Sequence, residues 1–297
     1  MHRLDTLSPV KRLIVNADDF GLTTGINRAI LELNRRGVLP SATLMATAAS
    51  FEEAALAAGA HAPLGIGCHV TLVDGKPLLP LKQLPQLALG ATGLFRATLG
   101  SFVQDLIRRR IPEAEIEAEA TAQIRRLQTA GIQVTHVDTH KHTHMFPGVL
   151  RPLLRAAIAC GVAAIRNPFE PAWSVRLTPH AAFMRRVQVR GLRAMQERFL
   201  EAARRARIAT TDGAIGVLAT GTLDSSTLRA FLDFMPEGVW ELCCHPGYVD
   251  SELANVRTRL RESRDIERLA LLAVLPHAAG ISLIDFGQLA PSSTPAR

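Results

Sequence analysis

Residues 12–17, RLIVNA, form a short apolar run, and two carboxylates and a glycine follow it within four positions. The run predicts a buried strand, and Asp18, Asp19 and Gly21 predict that this strand ends in a sharp turn. A helix is predicted near residues 25–36, because its apolar residues recur on one helical face. The first unit of the chain is therefore a strand, a turn that carries two acids, and a helix.

The same alternation continues along the chain. The clearest helix is predicted over 112–130, where glutamates in the opening turns and arginines near the end complement the helix dipole. Another helix is predicted around 149–160, and residues 76–94 are predicted to form a long loop. Further buried strands are predicted at 65–72, 132–138, 214–218, 239–244 and 281–285, and in a segment reaching Arg166. This order implies parallel β/α units, in an open sheet or a closed barrel.

Composition excludes several classes of protein. The chain has 297 residues, of which 47% are hydrophobic and 21% are charged, so it is neither a disordered tail nor a disulfide-stapled miniprotein. Its four cysteines, two of them adjacent, suit a reducing compartment. The N-terminus has no apolar stretch typical of a secretory signal, and the longest uncharged run near the C-terminus is shorter than the ~18 residues that span a bilayer. A cytoplasmic protein is expected.

The net charge of +7 comes from one segment. Between Trp173 and Arg207 there are nine arginines, no lysine and only two glutamates. Apolar residues recur there at helical spacing, which predicts an amphipathic helix. Its basic face either is simply solvated or approaches an anionic surface, such as a membrane carrying a lipid-linked sugar. With 5% aromatic residues and no basic segment interleaved with stacking residues, the chain is not expected to bind nucleic acid.

The acids after the first strand and a histidine in another strand are candidate site residues. The adjacent carboxylates of Asp18 and Asp19 repel each other, so they are expected either to share a metal ion or proton or to act as a helix cap and a solvated turn. His69 interrupts the strand GIGCHVTL, where a packed core histidine is commoner than a ligand. Cys68 should face the opposite side and pack in the core.

The segment HVDTHKHTH at 136–144 is the most informative in the chain. If it is extended, one face carries a histidine or aspartate at every second position; these residues are His136, Asp138, His140, His142 and His144. Buried imidazoles each need a hydrogen-bond partner, and a carboxylate beside a metal-bound histidine can fix its tautomer. The segment therefore indicates a metal site, although a solvated loop remains an alternative for its last two histidines.

A third candidate region is WELCCHPGY at 240–248, where His245 follows an apolar strand. A zinc site of Cys243, Cys244 and His245 is conceivable, but adjacent residues of a strand face opposite sides and no CxxC pair is present. A catalytic histidine at the end of a strand is the better interpretation.

Together these segments resemble the YdjC-type carbohydrate deacetylases, a family that includes chitooligosaccharide deacetylases and a hopanoid-biosynthesis-associated branch. The resemblance runs from about 13 to 287 and rests on NADDFG at 16–21, GCHVTL at 67–72 with GKP at 75–77, THVDTHKHTHMFP at 135–147 and ELCCHPGY at 241–248. It implies an α/β fold, a distorted TIM-like (β/α) barrel of the glycoside hydrolase/deacetylase type. The expected organisation is a single domain over 1–290 with a basic helical insert at about 173–210, and a disordered tail over 291–297.

The resemblance also implies a ligand set for one divalent metal ion. Asp19, His69 and His140 would hold it, and Asp18 would be the general base. Mg²⁺ is the first expectation, with Zn²⁺ or another dication as alternatives. Relatives often have a histidine where Lys141 stands, but that position is not an expected ligand.

The implied reaction is the release of acetate from an N-acetylated amino sugar, either an oligosaccharide or a glycolipid. His245 would protonate the departing amine. Arg166 would orient the base, bind substrate or form a structural ion pair, and Asp138 and His144 are candidates for supporting positions. Peripheral contact with an anionic membrane and a homodimer are both compatible with the sequence.

Two alternatives remain at this stage. The same ligands would serve another metal-dependent hydrolase, acting on a phosphoester or a different amide. A basic protein that binds nucleic acid or membrane without catalysis is the second, and it predicts salt-dependent binding that is indifferent to chelators.

Overall fold

The computed structural model describes residues 11–60, 64–178 and 183–289. Its strands are β1 (Lys11–Phe20), β2 (Ser41–Leu44), β3 (Gly65–Val70), β4 (Val134–Thr139), β5 (Gly213–Ile215), β6 (Gly238–Cys244) and β7 (Ile281–Leu283). Its α-helices are α1 (Thr24–Arg35), α2 (Phe51–Ala60), α3 (Leu99–Ile107), α4 (Glu113–Thr129), α5 (Pro147–Ala159), α6 (Ala172–Arg176), α7 (Phe183–Leu192), α8 (Gln196–Arg205), α9 (Ser225–Phe234), α10 (Ser251–Ala254) and α11 (Glu262–Val274).

All paired strands are parallel and lie in the order β4-β3-β2-β1-β6-β5, with β7 paired to the start of β1. Between β4 and β5 the described residues form only single bridges, Val137 with Ile165 and Ala164 with Ala209. The strand predicted to reach Arg166 is therefore reduced to a bridge. A curled sheet that continues through such bridges matches the distorted TIM-like barrel expected from the sequence.

Apolar strands and the inner faces of the helices make the core. Leu13, Val15 and Ala17 of β1 are fully buried beneath the helices, and Ile116 and Ile124 of α4 supply the predicted apolar stripe. Because parallel strands place their carboxyl ends at one edge, the acids and histidines in the last residues of β1 and β3 meet those that follow β4 and β6.

The extended arrangement predicted for 136–144 is wrong beyond Thr139, where β4 ends. The next residues form a turn of 3₁₀ helix, His140–Met145, in which Lys141 and His142 have φ values of 58° and 51°. These left-handed residues reverse the chain direction, so the alternation of side chains stops. His140 and His142 both line the cleft at this edge of the sheet, whereas His144 is fully buried.

The basic segment near 173–210 forms α6 to α8 in its described parts. Phe199 and Ala203 of α8 join the main core, while Arg198, Arg204 and Arg205 are exposed, as an amphipathic helix requires. That the segment is an insert in a single domain stays a prediction, and the tail predicted over 291–297 lies outside the described residues. Within the described ranges, every helix is too short or too polar to cross a membrane.

Candidate active site

Both carboxylates near the end of β1 reach the mouth of the barrel. Asp18 follows the alternation of the strand, but Asp19 has φ 65°, a left-handed conformation that aspartate tolerates better than most residues. This twist turns Asp19 towards the same side as its neighbour instead of into the opposite layer. The strained residue lies where the chemistry would occur, as backbone outliers often do.

Three ring and carboxylate atoms converge next to Asp19. Its Oδ1 lies 3.8 Å from His69 Nε2 and 3.6 Å from His140 Nδ1, and the two ring nitrogens are 3.3 Å apart. These atoms come from β1, β3 and the turn after β4. Their spacing makes Asp19, His69 and His140 one of two groups among the described residues that could hold a metal ion.

The geometry around His69 prepares its Nε2 for coordination. Its Nδ1 lies 2.8 Å from Asp138 Oδ1, so the proton of a neutral ring is held on Nδ1 and the Nε2 lone pair faces His140 and Asp19. Burial disfavours a charged ring, but Asp138, Asp18 and Asp19 outweigh it and raise the pKa of His69 to about 9. Coordination of a dication at Nε2 would displace the proton that the charged ring carries on that nitrogen.

The other donor atoms also fit a divalent ion. Asp19 Oδ1 is buried and has no hydrogen-bond partner among the described residues, whereas Oδ2 accepts a hydrogen bond of 2.5 Å from Arg264 Nη2. A buried carboxylate oxygen without a donor is costly unless a cation or water satisfies it. Two imidazoles and one carboxylate also leave coordination positions open for water and substrate.

The second group, Asp18, His69 and Asp138, is better explained by Arg166 than by a metal. Arg166 is fully buried and donates from Nη1 and Nη2 to the two oxygens of Asp18, at 2.9 and 2.7 Å. It also contacts Asp138 and donates from Nε to Glu241 Oε1 at 2.7 Å. One guanidinium therefore contacts three carboxyl groups and offsets part of their negative charge.

Asp18 is held ionised by this arrangement. Burial works against the carboxylate, but the charge and hydrogen bonds of Arg166 outweigh it and keep the pKa of Asp18 well below its usual range. Glu241, which shares the same arginine, is affected differently: burial dominates and raises its pKa to about 7. The pair illustrates how burial and a shared cation can separate two neighbouring carboxyl groups.

His245, which follows β6, also lies beside Asp18. Its Nε2 is 3.8 Å from Asp18 Oδ2, and its Nδ1 is 3.9 Å from Glu267 Oε2. Glu267 also accepts a hydrogen bond from the backbone N–H of His245, at 2.5 Å. Cys244 instead donates its thiol to Asn16 O, and no metal-binding group of the described residues includes a cysteine, which argues against a Cys–Cys–His site.

The remaining histidines of the 136–144 segment lie outside the triangle of donor atoms. His144 is buried, with Nδ1 2.7 Å from Thr139 Oγ1 and Nε2 3.2 Å from the backbone oxygen of Arg166, so it supports the arginine. His136 stacks on Phe286 at a centroid distance of 3.8 Å. Burial lowers the pKa of His136 to about 3 and that of His144 to about 4, so both rings are neutral.

A cleft of about 680 Å³ opens over these groups, which is within the usual range for small-molecule sites. Asp18, Asp19, His69, His140 and His245 all line it. Asp138 and Arg166 lie beneath and do not line it. Acid, base and metal-ligating atoms thus share one solvent-accessible space.

Sequence reasoning missed three charged residues of the site: Glu241, Arg264 and Glu267. Glu241 lies inside a quoted motif, and a lone acid in an otherwise apolar strand was a usable signal, because buried carboxylates need partners. Arg264 and Glu267 are one helical turn apart on α11 and resemble any exposed charged helix in sequence, so nothing local distinguishes them.

Comparison with known proteins gives a consistent family assignment. The model of the family described as YdjC-like protein matches residues 12–278. A carbohydrate deacetylase from Geobacillus stearothermophilus is 31% identical over 264 residues, which cover 87% of this chain and 88% of the relative. The chain spans about half the length of two other relatives, a carbohydrate deacetylase from Brevibacillus brevis (42% identical; 49% of this chain, 55% of the relative) and a chitooligosaccharide deacetylase from Proteus mirabilis (37% identical; 45% and 50%).

A solved structure agrees with the fold. The crystal structure of an Enterococcus faecalis V583 protein, for which cleavage of cellobiose phosphate has been suggested, superposes with a TM-score of 0.73 at 27% identity. The match covers 93% of this chain and 98% of that one.

Proposed function

This chain belongs to the YdjC-like family, and we propose that it is a metal-dependent deacetylase that releases acetate from an N-acetylated amino sugar. The observation that carries the proposal is the convergence of Asp19 Oδ1, His69 Nε2 and His140 Nδ1 beside the ionised Asp18, at the floor of a cleft. Relatives named carbohydrate deacetylase and chitooligosaccharide deacetylase support the substrate class.

One divalent ion, Mg²⁺ in the first instance, would be held by Asp19, His69 and His140. When bound, it supplies Lewis-acid activation of water and of the amide carbonyl. Arg264 holds the second oxygen of Asp19, which leaves Oδ1 facing the two histidines. Asp138 fixes the His69 tautomer from behind.

Asp18 is proposed to accept the proton of the attacking water. It is ionised, lines the cleft and is adjacent to the metal-binding group without belonging to the triangle of donor atoms. Arg166 fixes the direction of its carboxylate through two hydrogen bonds. A fixed base avoids reorientation during the reaction.

His245 is proposed to donate a proton to the leaving amine nitrogen. It lines the same cleft as the metal-binding group and lies 3.8 Å from Asp18, so the proton that Asp18 accepts can be balanced by the proton that His245 gives up. Glu267 Oε2 lies 3.9 Å from Nδ1 on the other edge of this ring, and Glu267 also holds the His245 backbone N–H.

The direct test is a screen for acetate release from N-acetylglucosamine oligosaccharides and acetylated glycolipids, with and without a chelator. Release that stops with chelator and returns with Mg²⁺ or another dication supports the proposal. Release of inorganic phosphate from sugar phosphates, with no acetate from any amide, would instead favour a phosphoester hydrolase on the same scaffold.

Two substitutions distinguish the proposed general base from a proposed metal ligand. Asp18→Asn removes the proton acceptor and should lower acetate release by at least about 10²-fold, the lower range for general base catalysis, while the metal content stays at the wild-type level. His140→Ala removes a ligand and should lower metal content itself. Metal analysis of both purified variants checks this, and an active Asp18→Asn variant or a metal-replete His140→Ala variant would contradict the assignments.

The location of the enzyme is part of the proposal. We infer a cytoplasmic protein, in which the exposed arginines of α8 approach an anionic membrane surface that presents a lipid-linked sugar. Replacing Arg198, Arg204 and Arg205 by glutamine should weaken sedimentation with anionic vesicles, and unchanged sedimentation would remove the idea. A homodimer is compatible with this arrangement, and sedimentation velocity tests it.

A further inference from the structure

Three charged residues at the mouth of the cleft have no part in the proposed chemistry. Asp74 accepts a hydrogen bond of 2.5 Å from Lys141 Nζ through Oδ2, and its Oδ1 accepts another from Arg257 Nη2. The same Arg257 nitrogen also donates to the backbone oxygen of Ala97. Asp74, Lys141 and Arg257, here called the Asp74 latch, all line the cleft.

The latch joins loops that leave the sheet at different places. Asp74 follows β3, Lys141 follows β4, and Arg257 lies between α10 and α11, after β6. In the sheet, β2 and β1 separate β3 from β6. The contact between Asp74 and Arg257 therefore spans the carboxyl ends of β2 and β1, where Asp18 and Asp19 lie.

The two sides of the latch are not equally anchored. Asp74 is held through its backbone, because its N–H donates to Arg96 O at 2.8 Å and the N–H of Phe95 donates to Gly75 O at 3.0 Å. Its side chain is 19% exposed, and that of Lys141 is 31% exposed. The side chain of Arg257 is 61% exposed. The Arg257 contact is thus the weak side, and exposed ion pairs of this kind break easily.

We propose that the Asp74 latch closes the cleft where the loop after β3 meets the loop between α10 and α11, and that it restricts the protein to short saccharides. The inference rests on the proposed function. A cleft of about 680 Å³ accommodates a ligand of ordinary small-molecule size. Asp74 and Arg257 line this cleft and contact each other, and in this proposal a longer chain has to displace their contact. Because the Arg257 contact is exposed, it opens for exchange of short ligands without a large energetic cost.

The test compares acetate release from the N-acetylglucosamine dimer and tetramer, expressed as the ratio of kcat/KM for tetramer to dimer. Arg257→Ala and Asp74→Asn each break the latch from one side, and asparagine tolerates the left-handed backbone of position 74, where φ is 58°. Each variant should raise the ratio about fivefold, the factor that corresponds to the loss of one exposed ion pair. The double variant should show no further rise, because both changes remove the same contact.

Arg259→Ala is the matched control. Arg259 lies two positions along the same loop, is exposed and lines the cleft, but it has no hydrogen bond or ion pair with the residues that the structure describes. Its removal should leave the ratio at the wild-type value. An equal rise in this variant would overturn the proposal, because loss of any arginine from the loop would then suffice.

Amide hydrogen exchange provides a readout that does not depend on activity. Both latch variants should accelerate exchange in the 255–261 loop about fivefold, whereas Arg259→Ala should not. If the wild-type protein releases acetate from neither oligomer, the proposed function fails together with the restriction to short saccharides, and exchange then tests only whether the contact holds the loop. If acetate is released but ratio and exchange are both unchanged in the latch variants, the latch is overturned and the proposed function stands.

Discussion

Asp138 shows how a single buried residue governs a site that it does not line. It accepts a hydrogen bond from His69 Nδ1 at 2.8 Å and contacts Arg166, so it links the metal-binding group to the proposed base. Asp138→Asn preserves the shape of the side chain but removes the negative charge that makes His69 a stronger metal ligand. Metal affinity should fall about 10- to 100-fold, the usual effect of losing such a partner, as measured by calorimetric titration of the metal-free protein.

Glu119→Gln is a suitable control for the loss of a buried carboxylate. Glu119 is fully buried, but it accepts hydrogen bonds from the backbone of Leu78 and Leu79, away from the donor atoms. This variant should bind metal as the wild-type protein does. Unchanged affinity in Asp138→Asn would show that His69 needs no negatively charged partner to coordinate.

At the scale of elements, the approach of β3 to β4 depends on one glycine. A Cβ added at Gly67 would lie 2.4–2.6 Å from ring atoms of His136, whose other face stacks on Phe286. The ring cannot retreat, so Gly67→Ala should destabilise the protein by about 1–3 kcal/mol, the usual cost of overpacking. Urea unfolding measures the change.

Gly59→Ala is the same substitution at a position where it is expected to stabilise the protein. Gly59 is an exposed residue of α2 with nothing within 4 Å of an added Cβ. Alanine there favours the helix, so the free energy of unfolding should rise by up to about 1 kcal/mol. If both variants shifted stability in the same direction, the contact between Gly67 and His136 would not be the cause.

Elements with a strong local signal were predictable from sequence. The apolar run of β1 and the charge order of α4 define those elements locally, and both lie close to where they were expected. The strand β2 was missed, because its four residues, SATL, alternate polar and apolar side chains over too short a run to indicate a strand. The turn at 141–142 was missed because lysine and histidine rarely adopt left-handed conformations, so only tertiary contacts specify it.

At the scale of the whole molecule, the donor atoms could be predicted by family resemblance, but the network that orients them could not. Arg264 reaches Asp19 across 245 positions of sequence, and Arg166 reaches Asp18 across 148. No local pattern encodes such a pairing, because the barrel alone brings these strand and helix ends together. The site is therefore a property of the whole curled sheet, and its charges are coupled to folding.

That coupling predicts a measurable pH dependence of stability. His144 has a native pKa of about 4 because it is buried, against an ordinary value of 6.5, so between these values the unfolded chain binds a proton that the native protein does not. This contribution lowers stability as the pH falls. Glu241 has the opposite sign: its native pKa is about 7, against 4.5, so the native protein holds the extra proton and its contribution raises stability as the pH falls.

The contributions of His144 and Glu241 can therefore be distinguished by the slope of unfolding free energy against pH between about pH 5 and pH 6. In this range each residue still binds a different number of protons in the native and the unfolded state. Each bound proton is worth about 1.4 kcal/mol per pH unit. His144→Gln should make the slope less positive by up to that amount, and Glu241→Gln should make it more positive by a similar amount. Urea unfolding with chelator present gives the slopes, and changes of the same sign in both variants would contradict the buried, neutral state of His144 or of Glu241.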